Sequence, residues 1–426
     1  MPTTKQTVAI LGLGYVGLPL AVRCKEKGFD VIGLELDEKK IKLINEGKSP
    51  IEEQYLYDNL PTNPVNATND PTEIRKADIV LICVPTPVDA QHNPDIGPVR
   101  GACTMAAENL KKGALVVLES TVNPGVSEEV VRPIFKEKGF TVGTDVFIAH
   151  CPERINPGDP KWNVTNIPRV VGAFTEKGLA KAVTFYETII DGAIKPMKSI
   201  REAEACKVVE NSFRDINIAF VNELAKSFDK LDIDVRDVID GASTKPFAFM
   251  AHYPACGIGG HCIPVDPYYL IERAKRAGFD HKFLRASRAI NNSMPAYTVE
   301  LLQDELNKLK MPLNGTKVAI LGISYKANVD DDRESPYYDI KAALEKHGAK
   351  TTSFDPHILE KSDVDSLEKA LDASEAIVLV TNHKEFNCLT GTFLEKHMIK
   401  TIVDGKNYLD KDDIKNAGVA YKGIGR

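Results

Sequence analysis

Three glycines near the start of the chain constrain its fold more than any other feature. Gly12, Gly14 and Gly17 directly follow the apolar run VAIL and open a segment whose apolar residues have helical spacing. A turn of this kind lets the backbone approach a pyrophosphate, whose charge the helix N-terminus stabilises. Glu35, eighteen residues beyond Gly17, ends the next predicted strand, where a carboxylate can bind ribose hydroxyls and repel a 2′-phosphate. The pattern predicts NAD binding; the alternative is an ordinary glycine-rich turn with a solvated Glu35.

The rest of the first half alternates short aliphatic runs with longer charged segments, which predicts a parallel sheet with crossover helices. Residues 18–27 and 39–47 have helical spacing. The segment VPTP, residues 84–87, follows a buried strand and is expected to border the cofactor, because ligands of open α/β sheets bind at the carboxyl edge. The predicted strands are TVAILGLG, DVIGLEL, ADIVLICVPTP, ALVVLEST and VFIAHCPE.

After about Ala203 the pattern changes to long helices, interrupted by a Gly/Pro-rich loop at residues 253–267. A second α/β pattern begins near Pro312, and its opening, KVAILGISYK, is similar to TVAILGLGYVG through either duplication or independent origin. The predicted fold class is α/β, with two Rossmann-like doubly wound domains (1–195 and 312–426) joined by a central helical domain (196–311). One central helix carries an apolar stripe at Cys206, Val209, Phe213, Ile216 and Phe220.

The composition favours a small-molecule ligand. The 426 residues are 43% hydrophobic and 27% charged, and they carry a net charge of −6 without a basic cluster. Nucleic acid and anionic membranes, which need such a cluster, are therefore not expected as partners. Because no apolar run approaches about 18 residues and the N-terminus has no signal-peptide layout, we expect a cytoplasmic protein. Eight scattered cysteines are typical of reduced thiols in such an enzyme.

The loop ACGIGGHCIPVDPYYL has the composition of a nucleophilic site. Cys262 follows three glycines that permit close approach of a ligand, and His261 and Asp266 supply polar groups nearby. A thiol there can attack an aldehyde to give a thiohemiacetal, which hydride loss converts to a thioester that water hydrolyses. The alternatives are an inert buried thiol and a metal site at Cys256, His261 and Cys262. Because the sequence has no CxxC pair, we predict no metal.

A second set of candidates lies on a predicted helix of the central section. Lys207, Asn211 and Arg214 are spaced so that all three project from one side. A desolvated lysine and a directed amide donor would stabilise an alkoxide or a tetrahedral oxyanion. The alternative is an ordinary solvated helix face.

Seven segments, in order along nearly the whole chain, resemble motifs of the UDP-glucose/UDP-N-acetylhexosamine dehydrogenase family. The resemblance implies oxidation of the C6 alcohol of a sugar nucleotide to the carboxylate with two NAD. It also implies a homodimer or higher homo-oligomer formed through the central helices, with Lys245 reaching the partner's substrate. The segments are GLGYVGLPLA, VPTP, ESTVNPG, CPERINPGD, AEACKVVENSFRDINIAFVNE, GIGGHCIPVDPYYL and LGISYKANVDDDRESP.

The resemblance also assigns roles to individual residues. Cys262 would form the thiohemiacetal and thioester, Lys207 and Asn211 would stabilise oxyanions, and Glu153 would assist thioester hydrolysis. A water ordered by Asp266 and Thr121 is the favoured base for the first oxidation. The implied cofactor-binding residues are Gly12, Gly14, Tyr15, Val16, Gly17, Glu35, Lys40, Pro85, Thr86, Thr121 and Arg333. The implied substrate-binding residues are Glu153, Arg154, Ile155, Lys207, Asn211, Arg214, Lys245, Phe247, Gly259, Tyr325 and Lys326.

The sequence around Cys262 narrows the substrate. RINPGD, STKPFAF and the residues His261, Val265 and Asp266 resemble the N-acetylhexosamine branch, and UDP-N-acetylglucosamine is favoured over UDP-N-acetylmannosamine and UDP-glucose. Two departures from the family pattern are Glu35 in place of Asp and Ala255-Cys256 in place of Gly-Pro. The second departure motivates the hypothesis of a reversible Cys256–Cys262 disulfide.

Two other classes of protein compete with this interpretation. A non-catalytic sensor of NAD or sugar nucleotides would keep the glycines and Lys326 but would not need Cys262, Lys207 and Asn211 together. A two-electron hydroxyacid-type dehydrogenase would share the first domain but would need neither a nucleophilic cysteine nor a second nucleotide domain.

Overall fold

The computed structural model describes residues 5–89, 94–155, 161–260, 262–372 and 374–426. The chain forms two compact units. The first comprises residues up to Glu210 together with Tyr268–Phe279, and the second comprises Asn211–Pro267 and Asp280–Arg426. Each unit contains its own sheet, located where the sequence predicts an α/β pattern.

The first unit is built on eight strands. They are β1 Thr7–Leu11, β2 Asp30–Leu34, β3 Asn66–Thr68, β4 Ile79–Ile82, β5 Ala114–Leu118, β6 Val146–His150, β7 Arg169–Ala173 and β8 Ile194–Pro196. Their order across the sheet is β3-β2-β1-β4-β5-β6-β7-β8, and all neighbouring pairs are parallel except β6–β7. The strand order reverses between β1 and β4, and such a switch point creates a crevice beyond the carboxyl ends of the strands.

Helices cover both faces of this sheet. Val8 and Ile10 of β1 pack in one core with residues of α1 and α6, whereas Ala9 and Leu11 pack in a second core with α4 and α5. Alternation between two cores explains why the predicted strands are continuous apolar runs. The helices are α1 Gly17–Glu26, α2 Glu38–Asn45, α3 Gln54–Asn59, α4 Gly97–Asn109, α5 Arg132–Glu137 and α6 Glu176–Ile189, with a 3-10 turn at Pro71–Lys76 and a π turn at Ser127–Val131.

In the central part of the chain, the described residues form five helices. They are α7 Ile200–Leu231, α8 Val235–Ser243, α9 Asp266–Arg276, α10 Lys282–Asn292 and α11 Met294–Lys308. The described residues between α8 and α9 form no helix or strand, as predicted for the Gly/Pro-rich loop. The apolar stripe of α7 is only partly covered, because Val209, Phe213 and Phe220 are 54%, 50% and 53% exposed.

The second unit contains a five-stranded parallel sheet. Its strands are β9 Lys317–Leu321, β10 Lys350–Phe354, β11 Ala376–Leu379, β12 Thr401–Asp404 and β13 Ala420–Gly423, in the order β10-β9-β11-β12-β13. This is a second doubly wound order with its own switch point, between β9 and β11. The associated helices are α12 Pro336–Lys346, α13 Leu367–Asp372, α14 Gly391–Lys396 and α15 Lys411–Asn416, with 3-10 turns at Leu359–Lys361 and Lys384–Cys388.

The predicted α/β fold class, with two doubly wound sheets separated in sequence by helices, is confirmed. The strand runs named from the sequence all contain observed strands. In the first unit, no run was named for β3, β7 and β8, because β3 and β8 are three residues long and the apolar part of β7 is only Val170-Val171. Among the described residues, no helix has both the length and the apolarity that a membrane crossing requires.

Candidate active site

The glycine-rich turn after β1 has the geometry of an anion-binding loop. Gly12 has a φ of +90°, a left-handed conformation that favours glycine. A Cβ on Gly17 would lie 1.9 Å from the Gly12 carbonyl oxygen, so α1 packs against the turn only because this residue is glycine. A Cβ on Gly14 would have no described atom within 4 Å, and Val16 supplies no side-chain cap to α1. The open space beside Gly14, next to Tyr15 at the N-terminus of α1, fits a pyrophosphate.

Glu35 follows β2 at the edge of this turn. Its Oε2 accepts a hydrogen bond from the Leu13 N–H at 3.1 Å, and its Oε1 accepts one from the Leu36 N–H at 2.8 Å. The carboxylate therefore lies beside the loop that would hold the pyrophosphate, the position at which a ribose is bound in dinucleotide-binding folds. Lys40 lies three residues into α2, partly buried.

The VPTP segment is held at the switch point of the first sheet. The Ser120 hydroxyl donates to the Val84 carbonyl at 2.7 Å, and the Tyr269 hydroxyl donates to the Thr86 carbonyl. Pro85 lies between these two anchored carbonyls. The predicted cofactor-bordering segment is thus at the carboxyl edge of the sheet, although no sequence signal indicated Tyr269 as its partner.

Thr121 begins a loop that a buried carboxylate supports. Glu204 of α7 is fully buried and accepts hydrogen bonds from the Gly125 N–H at 2.6 Å and the Ser127 N–H at 2.8 Å. Burial raises the pKa of Glu204, while these backbone donors lower it. The sequence analysis missed Glu204 because its partners are more than 75 residues away in the chain.

Glu153 follows β6 and is 6% exposed. Its Oε1 accepts hydrogen bonds from the N–H groups of Arg154, at 2.5 Å, and Ile155, at 2.7 Å. Its Oε2 pairs with Nη2 of Arg169 at 2.6 Å. Arg154 in turn pairs with Glu210 of α7, with 2.7 Å between Nη2 and Oε1. Both oxygens of the predicted base are therefore engaged by cationic or N–H groups.

Arg169 also contacts a second carboxylate that the sequence analysis did not consider. Its Nη1 lies 3.4 Å from Oε2 of Glu119, and the Tyr186 hydroxyl donates to Oε1 of Glu119. Glu119, Arg169 and Tyr186 are all at most 1% exposed. Burial raises the pKa of Glu119 to about 7 against the effect of Arg169, and the Glu153 charge adds to the rise.

The helix α7 carries the second group of candidates. Lys207 and Asn211 are one turn apart, Lys207 is partly buried and Arg214 is exposed. The Asn211 side-chain amide donates to Oδ2 of Asp266, a residue that is 3% exposed. Asn211 and Asp266, both predicted as catalytic, are thus brought together by folding of the second unit.

Cys262 lies just before α9 in a loop that is fixed at several points. The Asp266 N–H donates to the Cys262 carbonyl at 2.8 Å. The Cys256 N–H donates to the Gly405 carbonyl at 2.9 Å, and the Gly260 N–H donates to the Arg333 carbonyl at 2.8 Å. Through the Asp266 N–H, the backbone of Cys262 is hydrogen-bonded to the first residue of α9. His261 lies outside the described residues.

The glycines of this loop pack against the first turn of the second sheet. A Cβ on Gly259 would lie 2.4 Å from Cβ of Tyr325, so close packing requires glycine there. Burial raises the pKa of Tyr325 to about 12. Lys326 follows directly, and the Arg333 guanidinium pairs with Asp331, with Nε at 2.8 Å from Oδ1. Tyr325 and Lys326 are therefore adjacent to the cysteine loop, as substrate-binding residues would be.

Two further predicted residues lie on an exposed segment after α8. The Lys245 ammonium group is 4.9 Å from the centre of the Phe247 ring, which is 67% exposed. The second cysteine of the loop has the opposite environment: Cys256 is fully buried, its thiol faces the Val380 carbonyl, and burial raises its pKa. Cys256 and Cys262 are separate thiols in the structure, and the burial of Cys256 disfavours the disulfide hypothesis.

A buried polar network supports the cysteine loop from behind. The Ala255 N–H donates to Oδ1 of Asn222 at 3.0 Å, and the Asn222 amide donates to Oδ1 of Asn291 at 2.9 Å. Asn291 donates to Oδ1 of Asp215 at 2.8 Å, and Arg288 pairs with the same oxygen at 2.5 Å. The sequence analysis missed this network because its members lie on α7 and α10, about 70 residues apart.

The turn after β9 in the second sheet has the same backbone geometry as the glycine turn after β1. The carboxylate beside it, however, is buried. Gly322 has a φ of +95° and donates to the Phe354 carbonyl at 2.9 Å, as Gly12 donates to that of Leu34 at 2.8 Å. Asp355 takes the place of Glu35, but it is fully buried against His383, with 3.1 Å between Oδ2 and Nε2. The repeated turn favours the duplication hypothesis, and the buried pair leaves no open carboxylate at the place that Glu35 occupies in the first sheet.

One cluster within the described part of the chain has ligand atoms spaced closely enough for a metal ion: His357, His383 and Glu385. The two imidazole rings are stacked, with centres 4.8 Å apart. Nδ1 of His383 accepts from the Asn328 N–H at 2.9 Å, and Nε2 is bonded to Asp355. Because both nitrogens of His383 are occupied and the rings do not converge, the arrangement is poorly suited to coordination.

Comparison with known proteins agrees with this geometry. The three models of the UDP-glucose/GDP-mannose dehydrogenase family match in order: the NAD binding domain at residues 6–190, the central domain at 201–293 and the UDP binding domain at 319–411. The NAD cofactor predicted from the glycine turn is confirmed by the first of these matches.

Relatives align over nearly the whole chain. A UDP-N-acetyl-D-mannosamine dehydrogenase of Pyrococcus horikoshii is 34% identical over 98% of this chain and 99% of its own length. A UDP-N-acetyl-D-glucosamine 6-dehydrogenase of Pseudomonas aeruginosa is 33% identical over 95% of this chain and 97% of its own. The solved structure of the UDP-D-ManNAc dehydrogenase from P. horikoshii superimposes with a TM-score of 0.92 at 34% identity and covers 99% of both chains. The chain therefore belongs to the UDP-glucose/GDP-mannose dehydrogenase family.

Proposed function

We propose that this protein oxidises the C6 alcohol of a UDP-N-acetylhexosamine to the carboxylate, with Cys262 as the nucleophile. The observation that carries the proposal is the fixed loop that holds Cys262 at the start of α9, where Asp266 is paired with Asn211. A sensor of NAD or sugar nucleotides would not need this arrangement of thiol, carboxylate and amide. The family relationship and the pyrophosphate-binding turn support the same conclusion.

In the proposed mechanism, Cys262 adds to the C6 aldehyde and forms first a thiohemiacetal and then a thioester. Lys207 and Asn211 stabilise the oxygen that becomes negative, and Asp266 with Thr121 orders a water that removes the first proton. Glu153 takes a proton from the water that hydrolyses the thioester. NAD, when bound at the glycine turn beside Glu35, accepts a hydride in each of the two oxidations.

The remaining candidates bind and place the substrate. We propose that residues 1–195 bind NAD, that 196–311 supply the cysteine loop, and that 312–426 bind the UDP moiety through Tyr325 and Lys326. The sugar part of the substrate would be contacted by Glu153, Arg154, Ile155 and Arg214. Arg333 would contact the cofactor phosphates. The half-exposed apolar face of α7 at Val209, Phe213 and Phe220 supports a homodimer. In that dimer, Lys245 of one subunit would reach the substrate of the other, and Phe247 would bind substrate.

The sugar epimer has two candidates. The residues around Cys262 favour UDP-N-acetylglucosamine, whereas several relatives, including those of the four Methanococcus sequences, are named UDP-N-acetyl-D-mannosamine dehydrogenases. The two sugars differ only in the configuration at C2, so the decision depends on contacts to the acetamido group. We propose the glucosamine substrate and treat the mannosamine epimer as the second candidate.

The test is the number of NADH formed per sugar nucleotide consumed, with UDP-N-acetylglucosamine, UDP-N-acetylmannosamine and UDP-glucose supplied separately. We expect two NADH per molecule with one preferred N-acetylhexosamine. Cys262→Ala should abolish acid formation, while Cys256→Ala, the matched control, should retain it. One NADH per sugar would refute the thioester route, and no turnover with any of the three would favour the sensor.

A further inference from the structure

The three buried groups behind Glu153 have no role in the mechanism proposed above. A continuous series of contacts in the first unit links Glu153, Arg169, Glu119 and Tyr186. These contacts join four separate elements: the segment after β6, the start of β7, the segment after β5, and α6. Arg169 lies between two carboxylates and is closer to Glu153, at 2.6 Å, than to Glu119, at 3.4 Å.

These contacts hinder Glu153 from accepting a proton as a base. One of its oxygens accepts two backbone N–H groups and the other is paired with Arg169. Water can donate a proton to either oxygen only after one of these contacts is loosened. Hydrolysis of the thioester therefore requires that the hold of Arg169 on Glu153 be reduced.

We propose that Glu119 is a positioning residue for thioester hydrolysis, which shares the Arg169 guanidinium and thereby controls how strongly that cation holds the Glu153 carboxylate. When Glu119 is neutral, Arg169 balances Glu153 alone. When Glu119 is ionised, one cation serves two carboxylates, and the extra negative charge favours proton uptake at Glu153. This inference rests on the proposed function, because it gives Glu153 the same task.

The step itself involves no oxidation or reduction. The oxygen of water bonds to the thioester carbonyl carbon, and one of its protons passes to Glu153. The C–S bond breaks, and its electron pair stays on the sulfur of Cys262 as the thiolate. The second proton of the water remains on the carboxylic acid product until that product ionises.

The ionisable groups near these four residues also affect their charge. Burial raises the pKa of Glu119 to about 7, so its charge changes near neutral pH. Tyr186 donates to Glu119 and lowers that pKa, while burial keeps Tyr186 itself protonated by raising its own pKa. Burial likewise raises the pKa of the thiols that face Glu119, which are Cys24, Cys83 and Cys151. Glu53, whose pKa burial raises to about 7, faces Glu153 and is a competing source of a transition at this pH.

The experiment measures decay of the Cys262 acyl-enzyme against pH in the full-length protein. Enzyme, NAD and UDP-N-acetylglucosamine or its mannosamine epimer are mixed rapidly, quenched with acid at intervals and analysed by intact-mass spectrometry. For the wild type we expect the decay rate to rise with pH through an inflection near 7. Circular dichroism and NAD binding confirm that each variant is folded.

Three variants are expected to differ in how acyl-enzyme decay depends on pH. Glu119→Gln should remove the inflection and slow decay at high pH by about threefold or more, since one pK unit of lost basicity changes such a rate about threefold at a Brønsted slope near 0.5. Tyr186→Phe should keep the inflection but move it by about one pH unit upward, because a hydrogen bond to the charged form is lost. Glu53→Gln, the control, should keep the inflection near 7.

The outcomes separate this inference from the proposed function. An unchanged inflection in both Glu119→Gln and Tyr186→Phe overturns the role of Glu119, as does an inflection that disappears only in Glu53→Gln. If Glu119→Gln does not fold, Tyr186→Phe alone decides the matter through the direction of its shift. Accumulation of acyl-enzyme in Glu153→Gln would keep the proposed function intact in those cases. The absence of any acyl-enzyme in the wild type would overturn both.

Discussion

Replacement of Asn222 by alanine tests how the cysteine loop is held in place. Asn222 is fully buried and uses both ends of its side-chain amide: Oδ1 accepts from the Ala255 N–H at 3.0 Å, and Nδ2 donates to Oδ1 of Asn291 at 2.9 Å. Alanine removes both contacts at once. It leaves a buried carbonyl oxygen on Asn291 and a partly buried N–H on Ala255 without their partners.

The expected loss follows from these two groups. Each buried polar group left without a hydrogen bond costs about 1–3 kcal/mol, so Asn222→Ala should lower the free energy of unfolding by roughly 2–4 kcal/mol, the partly buried Ala255 N–H contributing the smaller share. Because Ala255 lies seven residues before Cys262, turnover should also fall in the folded variant. A displacement of about 1 Å of a reacting group can lower a rate up to about 100-fold.

Urea unfolding followed by circular dichroism measures the first effect, and NADH production measures the second. The matched control is Asn217→Ala on the same helix, because the Asn217 amide donates only to the Phe213 carbonyl of the preceding turn, at 2.6 Å. A double variant with Asn291→Ala should be less destabilised than the sum of the two single variants, because both remove the same contact. Strict additivity, or an Asn222→Ala protein as stable and active as the control, would refute the reasoning.

Three further predictions concern single residues. Gly259→Ala should lower turnover by about 10-fold or more, because the new Cβ would lie 2.4 Å from Cβ of Tyr325. Steady-state assays measure this effect, and an unchanged kcat would contradict it. Gly14→Ala should leave the melting temperature unchanged, because its Cβ meets no described atom within 4 Å, but should weaken NAD binding by about 10-fold in titration calorimetry. Burial lowers the pKa of His150 to about 3, below its ordinary 6.5, so stability present above pH 6.5 is lost on acidification. Between pH 6.5 and 5 this loss should be about 1.6 kcal/mol in urea unfolding, and His150→Phe should not show it.

Much of the candidate site could be predicted because its geometry is local. The turn at Gly12, Gly14 and Gly17 requires glycine for reasons of backbone conformation and close packing, which are visible as a spacing in the sequence. Glu35 follows the next strand, and in a parallel sheet the ends of neighbouring strands meet at one edge. Cys262 was indicated by the glycines that precede it, of which Gly259 and Gly260 pack against Tyr325.

The carboxylates show where prediction from sequence fails. The sequence indicated Glu153 as a base but gave no reason to connect it with Arg169, or Arg169 with Glu119, which is 50 residues away. Glu204 and Asn222 likewise act on loops far from them in the chain. Burial and pairing decide whether such groups are charged, and both depend on which residues the fold brings together rather than on their own neighbours in sequence.

The sequence by itself determined the fold class and the cofactor and predicted the nucleophile, because strand–helix alternation, a glycine turn and a cysteine loop are each encoded in short contiguous segments. Only the tertiary structure decided the partners of Glu153, the burial of Cys256 and the pairing of Asp355 with His383. Those features depend on contacts between distant segments in a low-dielectric interior, where each buried polar group must be matched by whatever side chain the fold places beside it.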